Sequence, residues 1–173
     1  ASALAQVVAA DGDGYVEAMP FCVPRDIGSA RALLVVAGAA QDRADAQALL
    51  ASLGGRALAV SERAGDAALL RDLHEAVFAT LLAATAEAFA AGARAGLAPD
   101  AMTSIMGVET GRNAASARIV PEDVATRRFD HGRSIGGLSA ALERVSAAAR
   151  AHGVTPWVLD RTRLLYGLAA RLG

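Results

Sequence analysis

The sequence predicts a mainly α-helical chain, built around one long helix and preceded by a small α/β segment. Two observations lead to this class. Apolar residues recur at helical spacing from Gly65 to Gly96, and the stretch from Ala76 to Ala86 carries no charge. Short apolar runs separated by turn residues come before this stretch, whereas the pattern after it stays helical. The long helix is therefore predicted to join two regions of different class.

The first region is predicted to hold too few strands for a complete sheet. The turn Asp11–Gly14 ends its first helix, and the uninterrupted apolar run Ala32–Ala37 is typical of a strand buried on both faces. Gly54 and Gly55 end an amphipathic helix. We interpret the region as the last piece of a larger sheet. In chain order, its predicted elements are a helix over 2–10, a strand over 15–19, a strand over 32–37, a helix over 42–53 and a strand over 56–60.

The second region is predicted to be helical throughout. Its predicted elements are the long helix over 65–96, a short helix over 99–106, a turn or two of helix near 114–118 and again near 122–128, a helix over 134–152 and a last helix from 155 onward. Gly96 and Pro99 end the long helix, and Gly153 ends the helix over 134–152. Thr155 is placed as the N-cap of the last helix, with Pro156 at its first helical position.

The long helix is apolar nearly all round. One stripe at helical spacing, here called the leucine stripe, contains Leu70, Leu73, Val77, Leu81, Ala84 and Ala88. A second stripe beside it, the phenylalanine stripe, contains His74, Phe78, Leu82, Thr85 and Phe89. A helix of this kind has to be buried by other helices or by a partner chain.

Composition and charge exclude several classes of partner. Of the 173 residues, 54% are apolar and 4% aromatic, and the formal net charge is −1 with the two signs well mixed, so nucleic acid is not an expected partner. The uncharged stretches fall short of the roughly 20 residues that span a bilayer, and no signal peptide is recognisable. The single Cys22 fits a reducing cytoplasm, where we expect the protein.

Two absences limit the chemistry. All 17 basic residues are arginine, so no lysine can form a Schiff base or act as an acid–base amine. Neither G-x-G-x-x-G nor G-x-x-x-x-G-K-[ST] occurs, so no phosphate-binding loop is recognisable. The chain begins without methionine, inside a predicted helix, and we therefore expect a fragment of a longer protein.

Three segments resemble the β-hydroxyacid dehydrogenase superfamily, which includes 3-hydroxyisobutyrate dehydrogenases, relatives of 6-phosphogluconate dehydrogenase and imine reductases. Residues 15–18, Tyr-Val-Glu-Ala, followed by the apolar run that ends at Gly38, are similar to the strands around the family's substrate-binding loop. Residues 23–28, Val-Pro-Arg-Asp-Ile-Gly, resemble the Val-Pro-x-x-Ile-Gly stretch of imine reductases. Residues 110–113, Thr-Gly-Arg-Asn, resemble the Ser-Gly-Arg-Ser turn of the hydroxyacid enzymes.

The resemblance implies an organisation and a set of partners. Residues 1–62 would be the C-terminal remnant of a Rossmann-like α/β domain, and residues 63–173 a helical substrate and dimerisation domain that builds a homodimer. The implied cofactor of the intact enzyme is NADP or NAD, whose phosphate-binding loop is absent from this chain. The implied reaction is hydride transfer to or from a small carbonyl or imine substrate.

The same resemblance assigns roles at the start of the long helix. Aligning Gly65 with the family pattern places Arg71 where the family has its proton-transferring lysine, and puts His74 and Glu75 where it has two asparagines. Arginine stays protonated, so Arg71 is assigned to hold a substrate anion rather than to exchange a proton. Glu75 is assigned to substrate binding. Imine reductases often have aspartate near this point, and Asp72 in Leu-Arg-Asp-Leu resembles it.

Asp72 and His74 are therefore the candidate proton donors. A histidine side chain titrates near neutral pH, and burial raises the pKa of a carboxyl group towards that range. Each residue also has a structural interpretation. Asp72 could be an acidic residue favoured by the helix dipole, His74 a hydrogen-bonded core residue, and Arg71 a solvated side chain.

The other two matching segments assign further site residues. Arg112 and Asn113 in the turn are expected to bind substrate, and Pro24 and Gly28 to contact the cofactor. No metal is expected, because residues 130–131, Asp-His, have no further ligands at suitable spacing.

The chain departs from the family pattern at two places. Residues 20–22, Pro-Phe-Cys, replace the Ser-Gly-Gly loop, and the second family lysine falls on the alanines 140–141. These losses favour an alternative function, a catalytically silent helical dimerisation module. A third interpretation, a stand-alone α-helical binding domain, requires residues 15–60 to be helical.

Overall fold

The computed structural model describes residues 2–22, 26–129 and 132–172. Contacts within the chain divide it into two compact units, Ala1–Asp72 and Leu73–Gly173. The first unit is α/β with a three-stranded sheet, and the second is helical. The predicted fold class is therefore confirmed. The domain boundary predicted between residues 62 and 63 stays a prediction.

A mixed sheet is the centre of the first unit. The elements in chain order are α1 (Ser2–Ala10), β1 (Glu17–Pro20), β2 (Leu33–Ala37), α2 (Ala40–Asp45), α3 (Gln47–Ser52) and β3 (Arg56–Ser61). The strand order is β1-β2-β3, with β1 antiparallel to β2 and β2 parallel to β3. Residues 15–60 contain the three strands and are therefore not helical throughout. A stand-alone helical domain would require them to be helical.

Side chains of α2 tie together the carboxyl ends of β2 and β3. The Arg43 guanidinium donates hydrogen bonds to the carbonyl oxygens of Gly38 and Ser61. Asp42 Oδ2 accepts a hydrogen bond from the Tyr15 amide at 3.1 Å. Gly38 has φ +147°, and a Cβ there would lie 2.6 Å from the Tyr15 carbonyl oxygen, so the close approach requires glycine.

The helix predicted over residues 42–53 is in fact two helices. Ala46 separates them, because its ψ of −2° lies outside the α-helical range. No side chain of α2 or α3, all of whose residues are described, is buried. Helices in proteins obtain most of their stability from packing an apolar face. Because α2 and α3 bury no side chain, no packing stabilises them as one continuous helix.

A buried carboxylate anchors the start of the long helix, α4 (Asp66–Arg94). Glu17 on β1 is only 3% exposed. Its Oε2 accepts a hydrogen bond from the Gly65 amide at 2.8 Å, and its Oε1 accepts one from the Ala68 amide at 3.2 Å. The first amides of a helix lack partners within the helix, and its dipole favours a negative charge there. Glu17 therefore acts as an N-cap supplied from the sheet.

Replacing Glu17 with glutamine is expected to lower the free energy of unfolding by about 1–3 kcal/mol, because an amide NH₂ then faces a backbone N–H. Urea unfolding of the wild-type and Glu17→Gln proteins measures the difference. Glu62→Gln, at an exposed position, is the matched control and is expected to change the value by less than about 0.5 kcal/mol. Equal losses in the two variants would contradict the capping role.

The second unit contains the rest of α4 and the helices that follow it. These are α5 (Pro99–Met106), a 3₁₀ turn (Glu109–Gly111), a π-helix (Ala115–Val124), α6 (Ile135–Ala151) and α7 (Trp157–Leu172). As the apolar spacing predicts, α4 is one unbroken helix.

The core of the helical unit is assembled from α4, the π-helix, α6 and α7. Its buried members are Ala76, Phe78, Ala79, Ile119, Leu138, Leu142, Val145 and Tyr166. Tyr166 Oη donates a hydrogen bond to the Ala79 carbonyl at 3.1 Å, and burial raises the pKa of the Tyr166 hydroxyl. The Tyr166 hydroxyl thus has a hydrogen-bond partner while the ring packs in the core.

The two apolar stripes of α4 have different surroundings. On the phenylalanine stripe, Phe78 is 7% and Thr85 is 8% exposed. On the leucine stripe, Leu73, Val77 and Leu81 are 42%, 56% and 41% exposed. Within the helical unit, the chain's own helices cover Phe78 and Thr85 on one stripe and leave the other stripe accessible.

By length and composition alone, α4 is also apolar enough to cross a membrane. Its most apolar window has a mean hydropathy of 1.6, and 22% of that window is buried. Core helices of soluble proteins pass the same test, so one such helix does not indicate a membrane protein.

The turns predicted near residues 114–118 and 122–128 are replaced by one π-helix with Pro121 inside it. In an α-helix a proline ring clashes with the carbonyl four residues earlier, and the wider π-turn moves that carbonyl away. Ser116, Ile119 and Val120 are buried and hold the wide helix in place.

Ion pairs join α6 to α7. Arg150 pairs with Asp160, and Arg163 Nη1 lies 2.8 Å from Glu143 Oε1. Partial desolvation acts to raise the pKa of Asp160. The hydrogen bond from Arg150, together with the charges of Arg150 and Arg163, outweighs this effect and holds the pKa below its ordinary value of 3.8.

The lowered pKa of Asp160 predicts a specific loss of stability in acid. A carboxyl group whose pKa is lower in the folded state stabilises the fold above its unfolded pKa, and this contribution disappears as the pH falls through the folded pKa. Thermal unfolding at pH 7, 4 and 3 should therefore show a smaller acid-induced decrease in Tm for Asp160→Asn than for wild type. Identical decreases would contradict the assignment.

Candidate functional site

The first turns of α4 carry the residues predicted to transfer protons and hold anions. Arg71 is exposed and Asp72 half-buried, and both belong to the first unit. His74 belongs to the helical unit and exposes 53% of its side chain, with Nδ1 3.9 Å from Glu75 Oε1.

Glu75 makes the best-defined polar contact of this region. Its Oε2 accepts a hydrogen bond from Arg133 Nε at 3.0 Å, and the two side chains are only 17% and 25% exposed. The guanidinium carbon of Arg133 lies 4.5 Å from the centre of the Phe78 ring, within cation–π range. Glu75 and Phe78 stand one turn apart on α4, so they form two sides of a guanidinium site.

Backbone constraints at the start of α6 direct Arg133 to this site. Ser134 is the N-cap of α6, and its hydroxyl accepts a hydrogen bond from the Gly137 amide at 3.1 Å. Gly132, just before Arg133, has φ +86°, a value that favours glycine. The direction of the chain is thus set on both sides of the arginine.

Sequence reasoning missed Arg133 as a member of the site. It is separated from Glu75 by 58 residues, and no spacing rule connects a loop residue to a helix over that distance. The one usable signal was on α4, where Glu75 and Phe78 offer a carboxylate and a ring on adjacent turns. That pattern favours a guanidinium partner but does not say which arginine supplies it.

Asn113 has a structural role in addition to its predicted one. Its Oδ1 accepts hydrogen bonds from the amides of Ala115 at 2.8 Å and Ser116 at 3.2 Å, which caps the π-helix. Its Nδ2 donates to the Gly111 carbonyl at 3.1 Å. Arg112 beside it is exposed. Substrate binding by Arg112 and Asn113 stays a prediction.

The predicted cofactor contacts lie in the loop between β1 and β2. Pro24 is outside the described residues. Gly28 has φ +83°, and its amide donates a hydrogen bond to the Leu53 carbonyl at 2.7 Å. This places Gly28 in a tight loop that requires glycine. Its contact with a cofactor stays a prediction.

Two open spaces adjoin α7 in the helical unit. The larger is a groove of about 470 Å³ between α4 and α7, here called the α4–α7 groove. It is lined by Thr80, Ala83, Ala84, Glu87, Trp157, Val158, Arg161, Thr162 and Leu165. The smaller, of about 260 Å³, is bounded by Arg133 and by mostly apolar side chains of α4, α6 and α7. Apolar spaces with a few polar groups are typical of binding sites.

Metal chemistry has no visible ligand set in the part of the chain that the structure describes. No three His, Cys, Asp or Glu side chains come together there in a way that could hold a metal ion. The Asp-His pair at residues 130–131 lies outside the described residues.

A family model matches most of the chain. The model, described as NAD-binding of NADP-dependent 3-hydroxyisobutyrate dehydrogenase, covers residues 64–173. This range includes all of α4 and every helix after it. No curated protein sequence is similar enough to count as a match.

Solved structures share the fold. A 3-hydroxyisobutyrate dehydrogenase from Salmonella typhimurium is 17% identical with a TM-score of 0.86, over 100% of this chain and 60% of that one. A 3-hydroxyisobutyrate dehydrogenase from Mycobacterium tuberculosis, with L-serine, is 19% identical with a TM-score of 0.85, over 98% and 60%. An imine reductase variant from Myxococcus stipitatus, in complex with NAD⁺, is 21% identical with a TM-score of 0.55, over 100% and 61%.

Because the sequence identities are all low, these structural likenesses show a common fold and nothing beyond it. The chain spans about 60% of the length of the dehydrogenases that it matches.

Proposed function

The chain belongs to the family of NADP-dependent 3-hydroxyisobutyrate dehydrogenases, and from that premise we propose that it is the C-terminal part of an NAD(P)-dependent oxidoreductase. The intact enzyme would transfer hydride to or from a small carbonyl or imine substrate. The observation that carries the proposal is the family match over residues 64–173. The description of this family names NAD binding, and the solved structures that share the fold include 3-hydroxyisobutyrate dehydrogenases and imine reductases.

The chain's own residues fit the substrate half of such a site and not the phosphate half. A helix N-terminus after a parallel strand is a common place for a phosphate group. Here the N-terminus of α4, which follows β3, is already occupied by the Glu17 carboxylate. The cofactor phosphates are therefore assigned to a segment outside this chain, and the proposed contacts of Pro24 and Gly28 are additional to it.

Proton transfer is the step that this chain is proposed to perform. The cofactor, when bound, supplies the hydride that reaches the substrate carbon. The carbonyl oxygen or imine nitrogen then needs a proton, which His74 or Asp72 donates. Arg71 holds an anionic substrate group, because a guanidinium forms strong hydrogen bonds with anions but does not exchange its proton.

Glu75 contributes to the substrate site together with Arg133. Their ion pair fixes the position of the Glu75 carboxylate next to His74. Arg112 and Asn113 are proposed to contact substrate from the turn before the π-helix.

We also propose that the protein is a cytoplasmic homodimer formed through the helical unit. The support is the exposed leucine stripe of α4, since contiguous apolar surface of this kind marks interaction sites. The alternative of a catalytically silent dimerisation module is supported by the absence of lysine from the whole chain.

An assay of the intact protein separates the enzyme from the silent module. NADPH and NADH are each supplied with a panel of small 2- and 3-oxo acids and cyclic imines, and oxidation is followed at 340 nm. Substrate-dependent oxidation is expected with at least one compound. Binding of NADPH by this 173-residue chain alone is expected to be weak, and micromolar binding measured by calorimetry would contradict the assignment of the phosphates to another segment.

A further inference from the structure

The space bounded by Arg133, here called the Arg133 cavity, is apolar apart from this one charged side chain. It has a volume of about 260 Å³ and lies within the helical unit, where Leu82 lines it from α4, Leu138 from α6 and Tyr166 from α7. The other lining residues are alanine, leucine and isoleucine. The Tyr166 hydroxyl already donates its proton to the Ala79 carbonyl. Arg133 is therefore the residue of this lining that can recognise a charged group.

The guanidinium of Arg133 has donors that the described residues leave unused. Its Nε donates a hydrogen bond to Glu75 Oε2 at 3.0 Å, and its carbon lies over the Phe78 ring. Nη1 and Nη2 donate no hydrogen bond to any residue that the structure describes. The side chain is only 25% exposed, and donors left unpaired in such a place cost free energy. The edge formed by Nη1 and Nη2 matches a carboxylate, which can bind there without breaking the pair with Glu75.

The start of α6 adds positive potential beside this guanidinium. Ile135 is the first residue of the 17-residue helix α6, and it lines the Arg133 cavity. The first turn of α6 contains no acidic residue. Glu75 compensates the charge of Arg133, but the positive end of the helix dipole at Ile135 has no such compensation within its own turn. The potential at this part of the cavity therefore favours an anion.

We propose that the Arg133 cavity binds a small apolar carboxylic acid. Its carboxylate accepts hydrogen bonds from Nη1 and Nη2 of Arg133, and its chain packs against Leu82, Leu138 and Tyr166. One water molecule takes up about 30 Å³ of liquid, so the cavity has room for about nine non-hydrogen atoms. An acid with a chain of about six carbons fits this volume, and the burial of its methylene groups favours binding.

This ligand is additional to the substrate of the proposed function. Leu82 follows His74 by eight residues on α4, which is a rise of about 12 Å along the helix axis. A chain packed against Leu82 therefore lies about two helical turns from the proposed proton donor. The cavity is a second site in the helical unit, and its ligand does not have to react.

Calorimetric titration of the intact protein with sodium hexanoate tests the site. Saturable binding is expected, with a Kd on the order of 1 mM for so small a ligand. Hexanamide has the same chain without the charge and is expected to bind more than about tenfold more weakly. Equal Kd values for the acid and the amide would overturn the proposal. Absence of saturable hexanoate binding, whether solvent or a second copy of the chain fills the cavity, would overturn it as well.

Variants locate the bound hexanoate. Ala169→Leu fills the cavity from α7 and is expected to raise the Kd by more than about tenfold through steric exclusion. Ala170→Leu, at the next and exposed position of α7, is the matched control and should leave the Kd unchanged. Arg133→Lys keeps a positive charge near Glu75 but loses the planar fork, and is expected to raise the Kd by more than about threefold. Circular dichroism melting confirms that each variant is folded.

The outcomes separate this inference from the proposed function. Binding that persists in Ala169→Leu and is lost in Arg71→Gln would place hexanoate in the proposed substrate site and overturn the second site. Hexanoate binding that Ala169→Leu abolishes, in a protein that oxidises no NADPH with any substrate of the panel, would support the cavity site and count against the oxidoreductase.

Discussion

Replacing His74 with alanine in the intact protein is expected to lower kcat for hydride transfer on the order of 10²-fold, the usual contribution of a positioned general acid. The reason is chemical: the substrate oxygen or nitrogen must take a proton as the carbon receives hydride, and an imidazole titrates near neutral pH. Glu75 Oε1 lies 3.9 Å from Nδ1 of the imidazole. Stopped-flow kinetics at saturating cofactor measure the change.

Two matched variants make the result specific to the proposed donor. His152→Ala removes an exposed histidine at the end of α6 and is expected to leave kcat unchanged. Asp72→Asn tests the competing donor. The larger loss of kcat is expected in the variant that lacks the residue donating the proton. The pH dependence of kcat should flatten in that variant only. Unchanged rates in both His74→Ala and Asp72→Asn would remove the catalytic assignment.

Replacing Leu142 with alanine is expected to lower the free energy of unfolding by about 2–5 kcal/mol. Leu142 is completely buried in the core of the helical unit, on α6. The change removes apolar contacts and leaves a cavity that helices on several sides cannot fully close. Urea unfolding followed by circular dichroism measures the loss.

Leu172→Ala is the control for this large core effect. Leu172 is 80% exposed at the end of α7, so the same chemical change there should cost less than about 0.5 kcal/mol. Similar losses at the two positions would show that Leu142 does not lie in the core.

Much of the fold was predictable because it follows from local patterns. The helices α4 and α6 and the buried strand β2 all appear where apolar periodicity and capping residues predict them. The prediction was wrong where local pattern competes with backbone geometry, as at Ala46 between α2 and α3 and at Pro121 in the π-helix.

The candidate site was predictable only in part. The alignment with the family pattern pointed to the first turns of α4, and the structure places His74 beside Glu75 there. Arg133 was missed because its contact with Glu75 and Phe78 is made across 58 residues of chain. Contacts between residues distant in sequence depend on how helices pack, which no local spacing encodes.

The amino-acid sequence by itself determined the class of the chain, its long apolar helix and its family. Hydrophobic periodicity and the residues that end helices act over a few neighbouring residues. The tertiary structure alone decided which face of α4 remains exposed, that Glu17 caps α4 from the sheet, and that Glu87 and Arg161 face one groove. Those features depend on burial and on distances between separate elements. Both are set only when the elements pack together.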